Sequence, residues 1–78
     1  MSDKTTSHAA LSVDCQGMKC PQPIIEIAHR IGEVSVGAIV ELLADDPAAG
    51  PDLAAWCRMR KQTLIASDPP RFLVRRES

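Results

Sequence analysis

From Ala10 to Asp14 apolar and polar side chains alternate, with Leu11 and Val13 on one side and Ser12 and Asp14 on the other, as in a short half-buried strand. Cys15 to Lys19 has no such period and holds Gly17, which suits a turn with positive φ. Beyond it, Ile24, Ile27, Ala28 and Ile31 fall at i, i+3, i+4 and i+7 and form one helical stripe, while Gln22, Glu26, His29, Arg30 and Glu33 take the polar side. Proline is tolerated in a first helical turn, where its missing N–H would have had no intrahelical partner. The helix is therefore expected from Pro21 to about Glu33, with Cys20 at or beside its N-cap.

Gly37 interrupts the chain before Ala38 to Ala44, a strand in which Val40 and Leu42 point one way and Ile39, Glu41 and Leu43 the other. Asp45, Asp46, Pro47, Gly50 and Pro51 read as a loop. A second helix is expected over Asp52 to Arg60, starting as early as Ala48, with Leu53, Trp56 and Cys57 on its inner face. Gln62 to Ser67 and Arg71 to Arg75 read as a hairpin around Asp68, Pro69 and Pro70. Residues 1–9 are polar without period and are expected to be a loose tail on a single domain spanning residues 10–78. The order β-α-β-α-β-β packs as an α/β fold with two helices on one face of a four-stranded sheet. Because the first helix joins two strands by a crossover, those strands should be parallel and the connection right-handed.

Composition narrows the chemistry. At 78 residues the chain buries a modest fraction of its surface, so a working site must lie on or near the outside. One Trp, one Phe and no Tyr mean an aliphatic core, and the net charge of -1 provides no global field for nucleic acid. Direct nucleic-acid binding is further disfavoured by the lack of aromatic residues for base stacking. The N-terminal stretch lacks the apolar segment of a secretory signal and no apolar run approaches a membrane span, so the cytoplasm is the expected location. Three cysteines are an odd set, which argues against a disulfide scaffold and for thiols in a reducing compartment.

The informative segment runs from Asp14 to Pro23, Asp-Cys-Gln-Gly-Met-Lys-Cys-Pro-Gln-Pro. A thiol at a helix N-terminus meets the positive end of the helix dipole and unpaired N–H groups, which favour the thiolate; Lys19 adds a neighbouring cation. Pro21 and Pro23 each remove a backbone donor from the first turn, leaving those of Gln22 and Ile24 as the expected free pair. Such a thiolate is poised to attack a persulfide and carry off its outer sulfur.

The run Asp14, Gly17, Cys20, Pro21 and Pro23 resembles the Asp-x-x-Gly-x-x-Cys-Pro-x-Pro signature of the TusA-like (SirA/YedF) sulfur-carrier family. The resemblance continues through Asp45-Asp46-Pro47 and Trp56-Cys57, from about Leu11 to Arg75. It implies a two-layer α/β sandwich with a mixed sheet. It also implies a carrier loaded by a cysteine desulfurase or a rhodanese-like donor and unloaded to an acceptor protein, in pathways such as tRNA 2-thiouridine formation, molybdenum-cofactor synthesis or sulfur oxidation. By position, Cys20 takes the role of the persulfide cysteine, supported by Asp14, Gly17, Lys19, Pro21, Gln22 and Pro23. No cofactor is implied. The chain departs from many relatives where Lys61, Gln62, Thr63 and Leu64 replace a Gly-His-Glu-Leu stretch. If a left-handed residue is required at that helix end, losing the glycine costs up to about 1 kcal/mol.

Blander readings stand beside these. Cys15 is equally readable as a partly buried spectator or as a resolving thiol, and Cys57 beside Trp56 reads as core. A thiol redox protein using Cys15 and Cys20 is one alternative, although their spacing is not Cys-x-x-Cys. Another is a regulatory module docking through the Ile39/Leu43 sheet face, without thiol chemistry. His8 and His29 read as surface residues, and Cys15, Cys20 and a histidine lack the spacing of a zinc knuckle, so no metal is expected. Asp45 and Asp46 read as turn or helix caps, and Arg71, Arg75 and Arg76 as ordinary charged strand residues.

Overall fold

The computed structural model describes residues 9–19 and 21–78; the expected tail, apart from Ala9, lies outside them together with His8, as does Cys20. The elements are β1 (Leu11–Asp14), α1 (Gln22–Arg30), a short 3-10 helix (Ile31–Glu33), β2 (Ile39–Leu43), α2 (Ala49–Arg60), β3 (Thr63–Asp68) and β4 (Arg71–Arg75). They form one mixed sheet in the order β1-β2-β4-β3. β1 and β2 run parallel across the α1 crossover, and β4 is antiparallel to both its neighbours. This is the expected β-α-β-α-β-β α/β fold.

Strand alternation settles which residues face the helices. Leu11, Val40, Val74 and Leu64 lie in one cross-strand row, and Val13, Leu42, Phe72 and Ser67 in the next. Val13, Val40, Leu42, Phe72 and Val74 join Ile27, Ile31, Leu53, Trp56 and Cys57 in one buried cluster, which places both helices on that face. α2 lies so close to β4 that a Cβ added at Gly50 would stand 3.4 Å from the Phe72 ring. The opposite face carries Ser12, Glu41, Leu73 and Ala66 in one row. There Ser12 Oγ donates to Glu41 at 2.8 Å and Arg71 Nε donates to the same carboxylate. Ile39 and Leu43 are half-buried and Leu73 is 7% exposed, so this face is less open than alternation alone suggests.

Helix ends differ from the sequence expectation in instructive ways. The first α-helix stops at Arg30, and the chain tightens through Ile31–Glu33 before extending at Val34; the Arg30–Glu33 ion pair, 3.1 Å, spans that change. The second begins at Ala49, with Pro51 in its first turn, where a missing N–H costs nothing. Its end is a Schellman motif: Gln62 N–H donates to Cys57 O at 2.9 Å, Lys61 N–H to Arg58 O at 3.4 Å, and Lys61 sits at φ 62°. A left-handed residue is therefore required where this chain has lysine. Arg76 lies beyond β4 rather than within it and is half-buried, its Nη1 donating to Val34 O at 2.6 Å. Gln62 ties the adjoining segment, with its Oε1 accepting from Glu77 N–H at 2.6 Å.

Two outcomes follow. Lys61→Gly relieves the left-handed strain and should stabilise the protein by about 0.5–1 kcal/mol, raising Tm by about 2–8 °C in thermal denaturation; an unchanged or lower Tm contradicts this. Glu41 is held below its ordinary value of 4.5 by hydrogen bonds from Arg71 first and Ser12 second. A depressed folded pKa contributes stability that is present above the unfolded value and is lost as pH falls through the folded one. The advantage of the parent chain over Glu41→Gln in urea denaturation should therefore shrink as pH is lowered from about 6 to about 3, and a constant difference would count against it.

Candidate functional site

The route from β1 to α1 is fixed by a chain of backbone hydrogen bonds. Cys15 N–H donates to Leu43 O at 2.7 Å and extends the β1–β2 pairing by one residue, while Asp14 Oδ1 accepts from Gln16 N–H at 3.0 Å. Cys15 O then accepts from Met18 N–H at 3.1 Å, closing a turn whose third residue is Gly17 at φ 85°. That conformation belongs to a type II turn and favours glycine, even though the space around a Cβ there is open. Gly17 N–H is in turn held by Asp45, at 3.0 Å from Oδ1 and 3.2 Å from Oδ2.

Asp45 is thus the residue that joins the loop before α1 to the loop before α2. Its neighbour Asp46 organises the latter: Oδ1 accepts from Ala48 N–H at 2.9 Å and its backbone O from Ala49 N–H at 2.9 Å. Asp46 caps its own turn, as the capping reading expected, whereas Asp45 accepts from Gly17, 28 positions earlier in the chain. Asp45 was not among the residues singled out to support the site. No local pattern could reveal a partner 28 positions away; the available signal was a glycine needing a positive φ with its N–H turned from any regular ladder.

At the mouth of α1 the N-cap is Pro21, one residue after Cys20 in the chain. Here the structure corrects the sequence expectation. Gln22 N–H donates to Lys19 O at 2.8 Å, and Pro21 O accepts from both Ile24 and Ile25 N–H at 3.1 Å, so the expected free pair is engaged. The chain enters the helix through a tight turn that consumes its own donors. These amides are therefore not free for an anion beside Pro21, and among the described residues the helix dipole and the Lys19 ammonium are what favour negative charge there. Lys19, Pro21 and Gln22 are exposed and Pro23 is buried; the Gln22 side chain donates to Glu26 at 3.1 Å.

The residues on either side of Cys20 line different grooves. Lys19 belongs to a polar cleft with Gly17, Met18, Asp45, Asp46 and Pro47. Pro21 belongs to an apolar groove of about 270 Å³ between the helices, with Ile24, Asp52, Ala55, Trp56 and Met59. The second groove was not anticipated, since Trp56 reads as an inner-face residue of α2 and Met59 was assigned no role. Met59 is 71% exposed, and an exposed methionine beside a tryptophan is the signal that could have found it.

The other two thiols are sealed. Cys15 is 0% exposed and Cys57 3%, both free and both in the core cluster. Burial pushes the Cys57 thiol up to about 11. Cys15 is also raised, by burial first and then by the Glu26 and Asp14 carboxylates, with Arg30 opposing. His29 is exposed on α1. Among the described residues no group of three His, Cys, Asp or Glu side chains is placed to hold a metal, and no helix is long and apolar enough to cross a membrane.

Residues 11–75 match the family model described as Sulfurtransferase TusA, a span that takes in all four strands and both α-helices.

Burial sorts the thiols by reactivity. Brief alkylation with iodoacetamide near pH 8 should leave Cys15 and Cys57 unmodified in the native protein and label both after unfolding, as read by peptide mass spectrometry. Native-state labelling of Cys15 at a rate comparable with a free thiol would show that the core opens there.

Proposed function

Because the chain belongs to the sulfurtransferase TusA family, whose role is to pass sulfur between donor and acceptor proteins, we propose that Cys20 carries the transferable sulfur as a persulfide. The observation that supports this most is a process of exclusion. Of three cysteines, Cys15 and Cys57 are buried in the core with raised pKa values, which leaves Cys20, beside the exposed Lys19 and Pro21, as the thiol suited to the chemistry.

In the loading step the Cys20 thiolate attacks the outer sulfur of a donor persulfide. A new S–S bond forms, the donor's S–S bond breaks, and the donor cysteine leaves as a thiolate. Unloading reverses the roles: an acceptor nucleophile takes the outer sulfur and Cys20 departs as the thiolate, with no net oxidant or reductant consumed. A departing thiolate is favoured by the same helix dipole and Lys19 cation that favour the attacking one. Asp14, Gly17 and Asp45 hold the loop that delivers this residue, and Pro21 and Pro23 stiffen the turn after it.

The proposed donor is a cysteine desulfurase or a rhodanese-like protein, working in the cytoplasm. The proposed acceptor is a protein serving tRNA thiolation, molybdenum-cofactor synthesis or sulfur oxidation. The burial of Cys15 lowers the standing of a Cys15–Cys20 redox couple, which would need a core residue to reach the surface. Incubation with a cysteine desulfurase and cysteine should add one sulfur atom to Cys20, read by intact-mass and peptide mass spectrometry. Cys20→Ser should abolish the gain and Cys57→Ser should retain it. Loading that survives Cys20→Ser, or that requires Cys15, would sink the proposal.

A further inference from the structure

Arg60, in the last turn of α2, and Arg76, just past β4, line one cleft of about 260 Å³. Ala28, Ile31 and Trp56 give it an apolar wall, and no Asp or Glu side chain is among the residues that line it. Neither arginine has an acidic side-chain partner among the described residues, whose ion pairs use Arg30, Arg71 and Arg75. Arg76 is half-buried and its guanidinium is held in place: Nη1 donates to Val34 O at 2.6 Å and Nε to Ser78 O at 3.2 Å. Of the five N–H donors of a guanidinium these bonds use two, so Nη2 and one hydrogen of Nη1 are left. Gln62, the other polar side chain of the cleft, is committed to the segment after β4, accepting from Glu77 N–H at 2.6 Å and donating to Ser78 O at 3.4 Å. The C-terminal end of α2 brings roughly half a negative charge to this region, against two full positive ones.

We propose that this cleft binds a small organic oxyanion, a carboxylate or phosphate group carried on a short apolar body. The oxygens meet Arg60 and the uncommitted edge of Arg76, and the apolar body lies against Ala28, Ile31 and Trp56. The lining sets this choice. Two guanidinium groups without a counter-charge favour an anion, and their planar forks suit the oxygens of a carboxylate or phosphate. The apolar wall gives an organic anion a further gain that a bare inorganic ion lacks. The site stands apart from the proposed sulfur chemistry: Ala28 lies about 10 Å of helical rise beyond Pro21, and of the residues lining the groove beside Pro21 only Trp56 also lines this cleft. The proposal therefore does not depend on what Cys20 carries.

The test titrates the full chain, labelled with 15N, with phenyl phosphate, with 3-phenylpropionate and with the uncharged 3-phenylpropanol at low salt. At least one of the two anions should shift the Trp56 indole resonance, the amides of Ala28 and Ile31 and the Arg76 Nε resonance, and the tighter of the two identifies the head group. That anion should bind more tightly than the alcohol, and its affinity should fall as sodium chloride is added. Arg60→Gln should weaken it about fivefold; Arg60 is exposed and without a partner among the described residues, so the fold is retained. Arg58→Gln, outside the cleft lining, should leave it unchanged. Three results would overturn the proposal: no binding of either anion, equal binding of the alcohol, or equal weakening by Arg58→Gln, which would mean diffuse charge. Binding that appears only after Ser78 is deleted would show that the chain's own end fills the cleft, and would overturn it as well.

Discussion

The hydrogen bonds from Gly17 N–H to the Asp45 carboxylate hold together the two loops on which the candidate site stands. The chain leaves β1 at its edge of the sheet and must turn back to start α1 over the inner face. It does so through a turn that only a residue comfortable at positive φ can occupy. Asp45, two residues beyond β2 in the loop before α2, pins that turn, and Asp46 next to it accepts from Ala48 and Ala49 at the entry to α2. One short acidic stretch therefore positions the entry to both helices, and through them the two walls of the apolar groove.

Packing then seals two of the three sulfurs. An aliphatic core with one buried Trp and one buried Phe leaves Cys15 and Cys57 surrounded by apolar atoms, where a thiolate is costly. Lys19 and Pro21, the chain neighbours of Cys20, are exposed and line two different grooves.

Much of this was legible in the sequence because it follows from local periodicity. The alternation of Leu11 and Val13, the opposed sides of Val40 and Glu41, and the stripe of Ile24, Ile27, Ala28 and Ile31 all appear in the structure as read. Lys61 was legible too, as the residue standing where a left-handed one is needed. What escaped were features set by distant contacts or by the detailed path of a turn. The bond from Gly17 to Asp45 and the grip of Gln62 and Arg76 on their neighbours join residues far apart in the chain. The donors of Gln22 and Ile24 were misjudged for a different reason. Counting prolines shows which amides exist, but only the turn geometry shows that Lys19 O and Pro21 O already accept them.

That correction sharpens what the helix mouth must achieve, since the Gln22 and Ile24 amides are already engaged and the helix dipole and the Lys19 ammonium are what the described residues offer an anion there. The measurement that bears most directly on this is the pH dependence of the alkylation rate of Cys20, resolved from the other thiols by peptide mass spectrometry. The account predicts a midpoint clearly below the roughly 8.5 of an unperturbed cysteine, moving upward when Lys19 is replaced by Gln. A midpoint at or above that value, indifferent to Lys19, would contradict it.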